Sequence, residues 1–280
     1  MRTIHTDTII EAVKNLCIEA NCSLPNDVYC AIEKSIGTEK SQIGKGILEK
    51  IKENADIAKE QNMPICQDTG MAIFFVKIGQ DVHIEGEYLY DAINEGVRRG
   101  YKEGYMRNSI VRDPLDRVNT GDNTPAVIHT EIVAGDKLEI IFAPKGFGSE
   151  NMSATCMLKP SQGEAGVIDF VLDTVKKAGA NPCPPIFVGV GIGGSMEKAA
   201  ILSKYALTRD VEYENPNPYY RKMEEFLKDE INKLGIGPQG FGGSNTCLRV
   251  FIETFPTHIA GLPVAVNICC HVLRHKKIVI

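Results

Sequence analysis

Residues 184–194 read PPIFVGVGIGG, an apolar run that begins at two prolines and ends in glycines. The apolar part, PPIFVGV, predicts a buried strand, because turn-forming residues bound a short run of β-branched and aromatic side chains. The next stretch, Ser195–Leu207, predicts a helix. A strand followed at once by a helix is typical of α/β proteins.

The same glycines match a nucleotide-binding pattern. Gly189, Gly191 and Gly194 give G-x-G-x-x-G, and Asp210 follows about twenty residues later, as in dinucleotide-binding folds. In those folds the acidic residue ends a second parallel strand, whereas TRDVEYENPNPYY is polar and broken by prolines. We therefore expect no dinucleotide site, and a turn that presents backbone N–H groups to an anion stays possible.

Helices and strands alternate on both sides of this unit. The first sixty residues predict three helices: one capped by Thr6 or Asp7, one from Pro25 to about Gly37 and one from about Lys40 to Glu60. The later predictions are a strand at Ile73–Ile78, a helix at Tyr88–Tyr105, strands AVIHTEIVA and KLEIIFAP joined as a hairpin at Gly135-Asp136, and helices at Gly166–Ala178 and before Leu234. We expect one mixed α/β domain over residues 1–280, with residues 1–60 as a helical N-terminal portion followed by a mixed sheet with flanking helices.

The composition excludes several classes of protein. The 280 residues are 43% hydrophobic and carry a net charge of −5, so no basic surface for nucleic acid is indicated. No apolar run approaches the ~20 residues that span a bilayer, and the N-terminus lacks the apolar core of a signal peptide. We expect a cytoplasmic protein whose nine cysteines are reduced.

Three cysteine sites stand at the ends of predicted elements, in turn-like sequence. Cys66 lies in PICQDTG, Cys183 in NPCPP, and the pair Cys269-Cys270 in VNICCHV. Their wide separation excludes a local C-x-x-C zinc site. Spacing alone leaves two interpretations open, namely core thiols and a soft metal centre held from three distant loops. Cys17, Cys22 and Cys30, by contrast, are predicted to be buried helix-face thiols.

Six motifs occur in one order along the chain: PICQDTG, NTGDNTP, PKGFGSENMS, NPCPP, GFGGSNTCLRVFIET and THIAGLPVAVNICCH. Together they resemble the alpha subunits of class I, iron–sulfur fumarate hydratases and the related alpha subunits of L(+)-tartrate dehydratases. The resemblance covers nearly everything from about residue 40 onward. It implies reversible hydration of fumarate to L-malate by a hydro-lyase.

The resemblance implies a 4Fe–4S cluster held by Cys66, Cys183 and Cys270, with Cys269 as the rival third ligand. Three thiolates on four irons leave one iron as a Lewis acid for the substrate. Asp68 would then handle the proton of the departing or arriving hydroxyl group, while its alternative role is an Asx-turn that only shapes the loop.

Substrate contacts are also implied by the resemblance. Gln67 would hydrogen-bond the substrate, and Arg107 would contact a substrate carboxylate. Lys145 and the glycines of KGFGS, Gly148 first among them, would bring backbone N–H groups to the site. His258 matches a family histidine near the substrate, and His271 would support the ligand beside it. A solvated arginine and a histidine that caps local backbone are the alternatives for Arg107 and His258.

Single-chain members of the family continue into a further domain, whereas this chain stops at HKKIVI. We therefore expect a separate beta subunit, in a dimer of alpha–beta pairs, to supply the rest of the active site. L-tartrate dehydration is the rival reaction. A cluster-free binding or scaffold subunit with core thiols is the rival of another class.

Overall fold

A computed structural model of the chain describes residues 2–280; Met1, the first residue of the predicted helical portion, lies outside them. The helices are α1 Thr6–Cys22, α2 Asn26–Thr38, α3 Gln42–Gln61, α4 Leu89–Glu103, α5 Phe147–Glu150, α6 Gly163–Ala178, α7 Met196–Ala206 and α8 Pro218–Lys233. The strands are β1 Arg2–His5, β2 Ile73–Gly79, β3 Val82–Glu85, β4 Val127–Val133, β5 Leu138–Phe142, β6 Ala154–Leu158, β7 Ile186–Gly193, β8 Cys247–Phe255, β9 Leu262–Cys269 and β10 Lys276–Val279. The predicted mixed α/β fold is confirmed.

The chain forms two compact units, and it passes from one to the other at four places, one of them within α3, between Glu53 and Asn54. The first unit contains the residues up to Pro25, Asn54–Phe147 and Arg274–Ile280. The second contains Asn26–Glu53 and Gly148–Leu273. The expectation of one mixed α/β domain over residues 1–280 stays a prediction.

The first unit is built on a four-stranded sheet in the order β10-β5-β2-β4, and β1 and β3 form a parallel pair. Strand β2 is almost wholly buried and pairs parallel with β4 on one side and antiparallel with β5 on the other. Ile9 and Val13 of α1 and Ile93 and Val97 of α4 are buried in one cluster with Phe74 of β2. Burial of such side chains is the main force that holds this unit together.

The hairpin predicted at Gly135-Asp136 is wrong, because β4 and β5 are not neighbours. The more apolar β2 takes the central position between them, since it is the strand that loses most from exposure to water. The carbonyl oxygen of Gly135 instead accepts a hydrogen bond from the amide of Asp81, which lies between β2 and β3. Local turn chemistry thus predicted the reversal of the chain correctly and its pairing wrongly.

The second unit is a four-stranded sheet in the order β6-β9-β7-β8. Every residue of β7 is buried, as its sequence predicts. β8 is parallel to β7, and β9 is antiparallel to it, with Phe187 opposite Cys269. Because β7 starts where β9 ends, the residues before β7 and after β9 meet at one edge of this sheet.

Two glycines of the nucleotide-like motif, Gly189 and Gly191, serve packing. Gly189 and Gly191 lie inside β7, and a Cβ on either would stand 2.0 Å from a carbonyl oxygen of α7, that of Ser203 or of Ala199. Helix α7 can approach the strand this closely only because both positions lack a side chain. These glycines therefore lie in a strand under a helix and not in a loop around a phosphate.

The three N-terminal helices occur where they were predicted, with small differences. The cap of α1 is His5, whose Nδ1 accepts a hydrogen bond from the amide of Asp7, and not Thr6 or Asp7. A short strand, β1, precedes it. No helix among residues 2–280 is long and apolar enough to cross a membrane.

Candidate active site

The CQDTG loop, Cys66–Gly70, follows α3 and precedes β2 in the first unit. Cys66 and Asp68 are half-buried, and Gln67 is exposed. The amide of Ile65, just before the loop, donates to the carbonyl oxygen of Asn21 at 3.0 Å. The thiol of Cys66 donates to Oε1 of Gln67 at 3.2 Å, which brings these two predicted site residues together.

Both carboxylate oxygens of Asp68 accept hydrogen bonds from the backbone. Oδ1 accepts from the amide of Gly70 at 3.0 Å, and Oδ2 accepts from the amide of Phe147 at 2.9 Å. The first bond is the Asx-turn considered above. The second fixes the direction of the carboxylate, so Asp68 shapes its loop and presents a carboxylate of fixed orientation at the same time.

The loop that positions Asp68 requires a glycine at position 70. Its φ of +81° lies in the left-handed region, and a Cβ there would stand 2.9 Å from the backbone of Lys145. Met71 and Lys145 exchange backbone hydrogen bonds of 2.9 and 3.0 Å. Lys145 itself is buried, with 4% of its surface exposed, which is rare for a lysine.

Tyr101 and Asn123, two residues outside the CQDTG loop, hold its backbone by hydrogen bonds. The hydroxyl of buried Tyr101 lies 3.0 Å from the carbonyl oxygens of both Thr69 and Gly70, and burial raises the pKa of Tyr101, which keeps it a donor. Nδ2 of Asn123 donates to the Gly70 carbonyl at 3.2 Å. The segment between α4 and β4, which contains Asn123, is thereby tied to the predicted site.

Arg107 is linked to this loop through its backbone. Its amide donates to Oγ1 of Thr69 at 3.1 Å, and its side chain is exposed. Its guanidinium has no ion pair within residues 2–280. This arrangement places Arg107 beside the loop and leaves both interpretations of its side chain open.

In the second unit, the structure brings Cys183 and Cys270 to the same edge of the sheet. Cys183 lies three residues before β7 and Cys270 directly after β9. Nδ1 of His271 lies 2.9 Å from the carbonyl oxygen of Cys183, so this nitrogen must carry the hydrogen and donate it. His271 therefore supports the turn that presents Cys183.

The NPCPP turn is held in an unusual backbone shape. Cys183 is exposed and has a φ of +55°, and the Pro184-Pro185 peptide is cis. The amide and side chain of Gln239 both donate to the Pro184 carbonyl, at 2.7 and 3.0 Å. A positive φ at a residue other than glycine is strained and persists only where its surroundings impose it. Cys183 is therefore a candidate functional residue.

The remaining predicted residues, Gly148 and His258, also lie in the second unit. Gly148 is in the short helix α5, whose Glu150 accepts hydrogen bonds from Lys204 at 2.6 Å and from Asn267 of β9 at 2.9 Å. His258 is exposed, and its Nδ1 accepts from the amide of Ala260 at 3.2 Å, as in the backbone-capping alternative. It also lines a cavity of about 360 Å³.

Cysteine environments separate the candidate ligands from the other thiols. All nine cysteines are in the reduced form, and only Cys66, Cys183 and Cys270 lie outside helices and strands. Each of the three is at least partly exposed, whereas Cys269 is a buried residue of β9. Burial also raises the pKa of Cys17, and that of Cys247 to about 12, which disfavours their thiolates.

Cys30, predicted to be buried, is only half-buried on α2. Among residues 2–280 no three His, Cys, Asp or Glu side chains are already arranged around a metal position.

Sequence reasoning missed the residues that support the loop. Thr69 and Asn123 belong to the recognised motifs, so the motifs themselves were the signal. Tyr101 is one buried face residue of α4 among several. Arg274, whose Nη2 donates to the carbonyl oxygen of Asp68, lies in the basic run HVLRHKK, where nothing separates it from solvated neighbours.

Comparison with known proteins gives consistent results along the whole chain. A family model described as fumarate hydratase (Fumerase) matches residues 10–279. A protein of Methanocaldococcus jannaschii, provisionally named L(+)-tartrate dehydratase subunit alpha, is 43% identical over 268 residues, which are 94% of this chain and 94% of that protein. The L(+)-tartrate dehydratase subunit alpha of Escherichia coli O157:H7 is 34% identical over 276 residues, which are 97% of this chain and 90% of that protein.

Proposed function

The chain belongs to the fumarate hydratase (Fumerase) family, and we propose that it is the alpha subunit of an iron–sulfur-dependent hydro-lyase. The observation that carries this proposal is the set of cysteines outside regular structure. The motif resemblance selects Cys66, Cys183 and Cys270, and these are the cysteines of the chain that lie in loops and are accessible to a ligand.

These three cysteines fit a 4Fe–4S cluster by the chemistry of their donors. Thiolates are the usual protein ligands of such clusters, and only an accessible thiol can become a thiolate at low cost. Cys270 is a better third ligand than Cys269, because Cys269 is buried in β9 and Cys270 follows it in the loop. When bound, such a cluster supplies a Lewis acid, since one of its irons has no protein ligand.

The reaction class assigns roles to the side chains of this chain. The carboxylate of Asp68, held at both oxygens, would accept or return the proton of the hydroxyl group that leaves or enters the substrate. Gln67 would orient the substrate by a hydrogen bond. Arg107 and Lys145 would bind carboxylates, with His258 and Gly148 completing the pocket.

We place fumarate and L-malate first as substrates, because the matching family model is that of fumarate hydratase. L(+)-tartrate dehydration is the second candidate, and the names of the relatives favour it. Both substrates are small dicarboxylates that differ by one hydroxyl group. The side chains assigned above bind features that the two substrates share, so kinetics must choose between them.

The relatives are named as alpha subunits, which supports a separate beta subunit for this chain. We propose in addition that the alpha–beta pairs form a dimer. We further propose that residues 1–280 work as one catalytic module. A cytoplasmic location follows from the proposal, since ligand cysteines must stay reduced.

The test is anaerobic reconstitution of the chain with its beta partner, followed by iron and sulfide analysis and by assay with fumarate, L-malate and L(+)-tartrate. We expect about four irons and four sulfides per chain, since one 4Fe–4S cluster is proposed, and turnover of one of these dicarboxylates. A preparation without iron, or with iron and no turnover of any of the three, would contradict the proposal.

A further inference from the structure

Arg274 is a buried cation beside the CQDTG loop. It follows Cys270 by four residues, belongs to the first unit, and has 5% of its surface exposed. Arginine is almost never buried this completely unless a carboxylate compensates its charge. Among residues 2–280 no carboxylate lies within ion-pairing distance of its guanidinium.

One nitrogen of this guanidinium holds the candidate catalytic residue. Nη2 donates to the main-chain carbonyl oxygen of Asp68 at 2.5 Å. The carboxylate of Asp68 is already held by the amides of Gly70 and Phe147. Arg274 therefore supplies the third attachment of Asp68 and the one that fixes its backbone.

The other nitrogens of the guanidinium are unsatisfied. Nε and Nη1 are buried and have no hydrogen-bond partner in the described part of the chain. The neighbouring groups whose pKa its charge lowers are Cys22 and Tyr101, and in both burial is the larger influence and raises the pKa. These two neighbours carry no negative charge, and the nearby carboxylate of Asp68 is held by the amides of Gly70 and Phe147 and makes no ion pair with the guanidinium.

A buried guanidinium that has no ion pair and two unsatisfied N–H nitrogens lowers the stability of the fold, so a ligand that satisfies them is expected. An anion at the loop would satisfy both N–H groups and the charge. We propose that Arg274 is a positioning residue that orients Asp68 through its carbonyl and directs its remaining N–H groups to an anionic ligand bound at the CQDTG loop. This inference rests on the proposed function, in which that ligand is the substrate carboxylate or the thiolate-bound cluster.

The first test compares two buried arginines in the metal-free full-length chain. Arg274→Met removes a buried charge that has no ion pair and two unsatisfied N–H nitrogens, so its thermal midpoint should rise by about 2–4 °C. Arg209→Met is the matched control, because Arg209 has Glu224 at 3.0 Å and Glu253 at 3.4 Å. This control should lower the midpoint, since it leaves buried carboxylates without their partner. A midpoint that falls in Arg274→Met as it does in Arg209→Met would make Arg274 a structural residue and overturn the proposal.

The second test measures amide hydrogen exchange over residues 64–71. Loss of the bond to the Asp68 carbonyl should accelerate exchange there about tenfold in Arg274→Met, with no change in peptides of β7 and β9. Arg274→Lys keeps the charge and one donor and should restore part of the protection. Unchanged exchange in both variants would show that Arg274 positions nothing.

The third test identifies the anion in the holoenzyme with its beta partner. A substrate carboxylate as ligand predicts that Arg274→Met raises KM for the dicarboxylate more than it lowers kcat. If the anion is the cluster, Arg274→Met should make the midpoint potential of the cluster more negative at equal iron content, because a nearby positive charge has been removed. A holoenzyme with neither change would overturn the anion-binding part of the proposal. The first two tests need no turnover, so they stand even if the proposed reaction is wrong.

Discussion

At the scale of single residues, backbone context distinguishes the candidate ligands from the other cysteines. Cys269 and Cys270 are adjacent, yet one is the last residue of a buried strand and the other begins a loop. A strand side chain in a packed core cannot turn toward a ligand without breaking the sheet. The difference between these neighbours is therefore a difference in the conformations open to each.

Serine substitutions test this distinction. Cys66→Ser, Cys183→Ser and Cys270→Ser should each abolish assembly of a full cluster, because a serine hydroxyl does not replace a soft thiolate. Iron content after anaerobic reconstitution is the measurement. Cys269→Ser should keep its iron and lose roughly 1–3 kcal/mol of unfolding free energy, because it buries a hydroxyl. Loss of iron in Cys269→Ser with retention in Cys270→Ser would reverse the assignment, and Cys17→Ser serves as a second packing control.

Glu39 gives a second prediction at this scale. Burial alone would raise its pKa, but the amides of Ser41, Ser244 and Asn245 and the side chain of Asn245 donate to its carboxylate and lower the pKa to about 2. The carboxylate thus fixes the GGSN turn that precedes β8. Glu39→Gln should reduce the free energy of unfolding by roughly 2–3 kcal/mol at pH 7.

The pH dependence of the stabilisation by Glu39 follows from the direction of its pKa shift. Because the folded pKa lies below the ordinary 4.5, the stabilisation is complete above about pH 4.5 and is lost as the pH falls toward 2. Denaturant titrations of both proteins between pH 7 and pH 3 should therefore give a constant difference down to about pH 4.5 and a shrinking one below. A difference that stays constant to pH 3 would show that the charge of Glu39 contributes nothing.

At the scale of elements, glycines decide how close α7 lies to β7. Gly191→Ala should cost about 3 kcal/mol or more, because its Cβ would meet the Ala199 carbonyl at 2.0 Å and α7 would have to move. Gly46→Ala is the matched control, since it lies in α3 with nothing within 4 Å and should stabilise by roughly 0.5–1 kcal/mol. Urea unfolding of both variants measures the difference. An equal effect of the two substitutions would contradict the packing role of Gly191.

Most elements could be predicted from the sequence because their patterns are local. The apolar positions of α1 and the unbroken apolar run of β7 each determine one face or one buried strand. Strand order is different, since the central place of β2 between β4 and β5 depends on competition among distant segments for burial. Short strands such as β6, with the sequence ATCML, carry too few residues to show a period.

The candidate site shows the same division. Residues in glycine- and proline-rich motifs could be recognised, because such motifs specify unusual backbone shapes, as Gly70 and Cys183 show. The supporting residues could not, since Tyr101 and Arg274 act through contacts with residues far away in sequence. A buried arginine and a solvated one look alike in a sequence.

At the scale of the whole molecule, charge bears on whether the chain can act alone. A dicarboxylate substrate carries two negative charges, and the reaction develops more charge beside one of them. The cations that this chain offers as direct substrate contacts are Arg107 and Lys145, one exposed and one buried, and Arg274 adds a third only if the anion proposed for it is the substrate carboxylate. Two direct cations match the ground state, and the additional charge of the reaction needs more, so further cations from a partner subunit are expected.

We therefore expect the purified, cluster-loaded chain to show little hydro-lyase activity by itself and to gain it with a beta subunit. Co-expression with the partner should raise kcat/KM by at least a hundredfold, since two carboxylate contacts of about 1.5 kcal/mol or more each are missing without it. The measurement is anaerobic turnover at equal iron content, with and without the partner. A Cys183→Ser chain plus partner is the control, because it should bind the beta subunit but, without a full cluster, gain no activity. Full turnover by a homogeneous preparation of the chain alone would mean that its own residues complete the site, and the need for a partner's cations would be disproved.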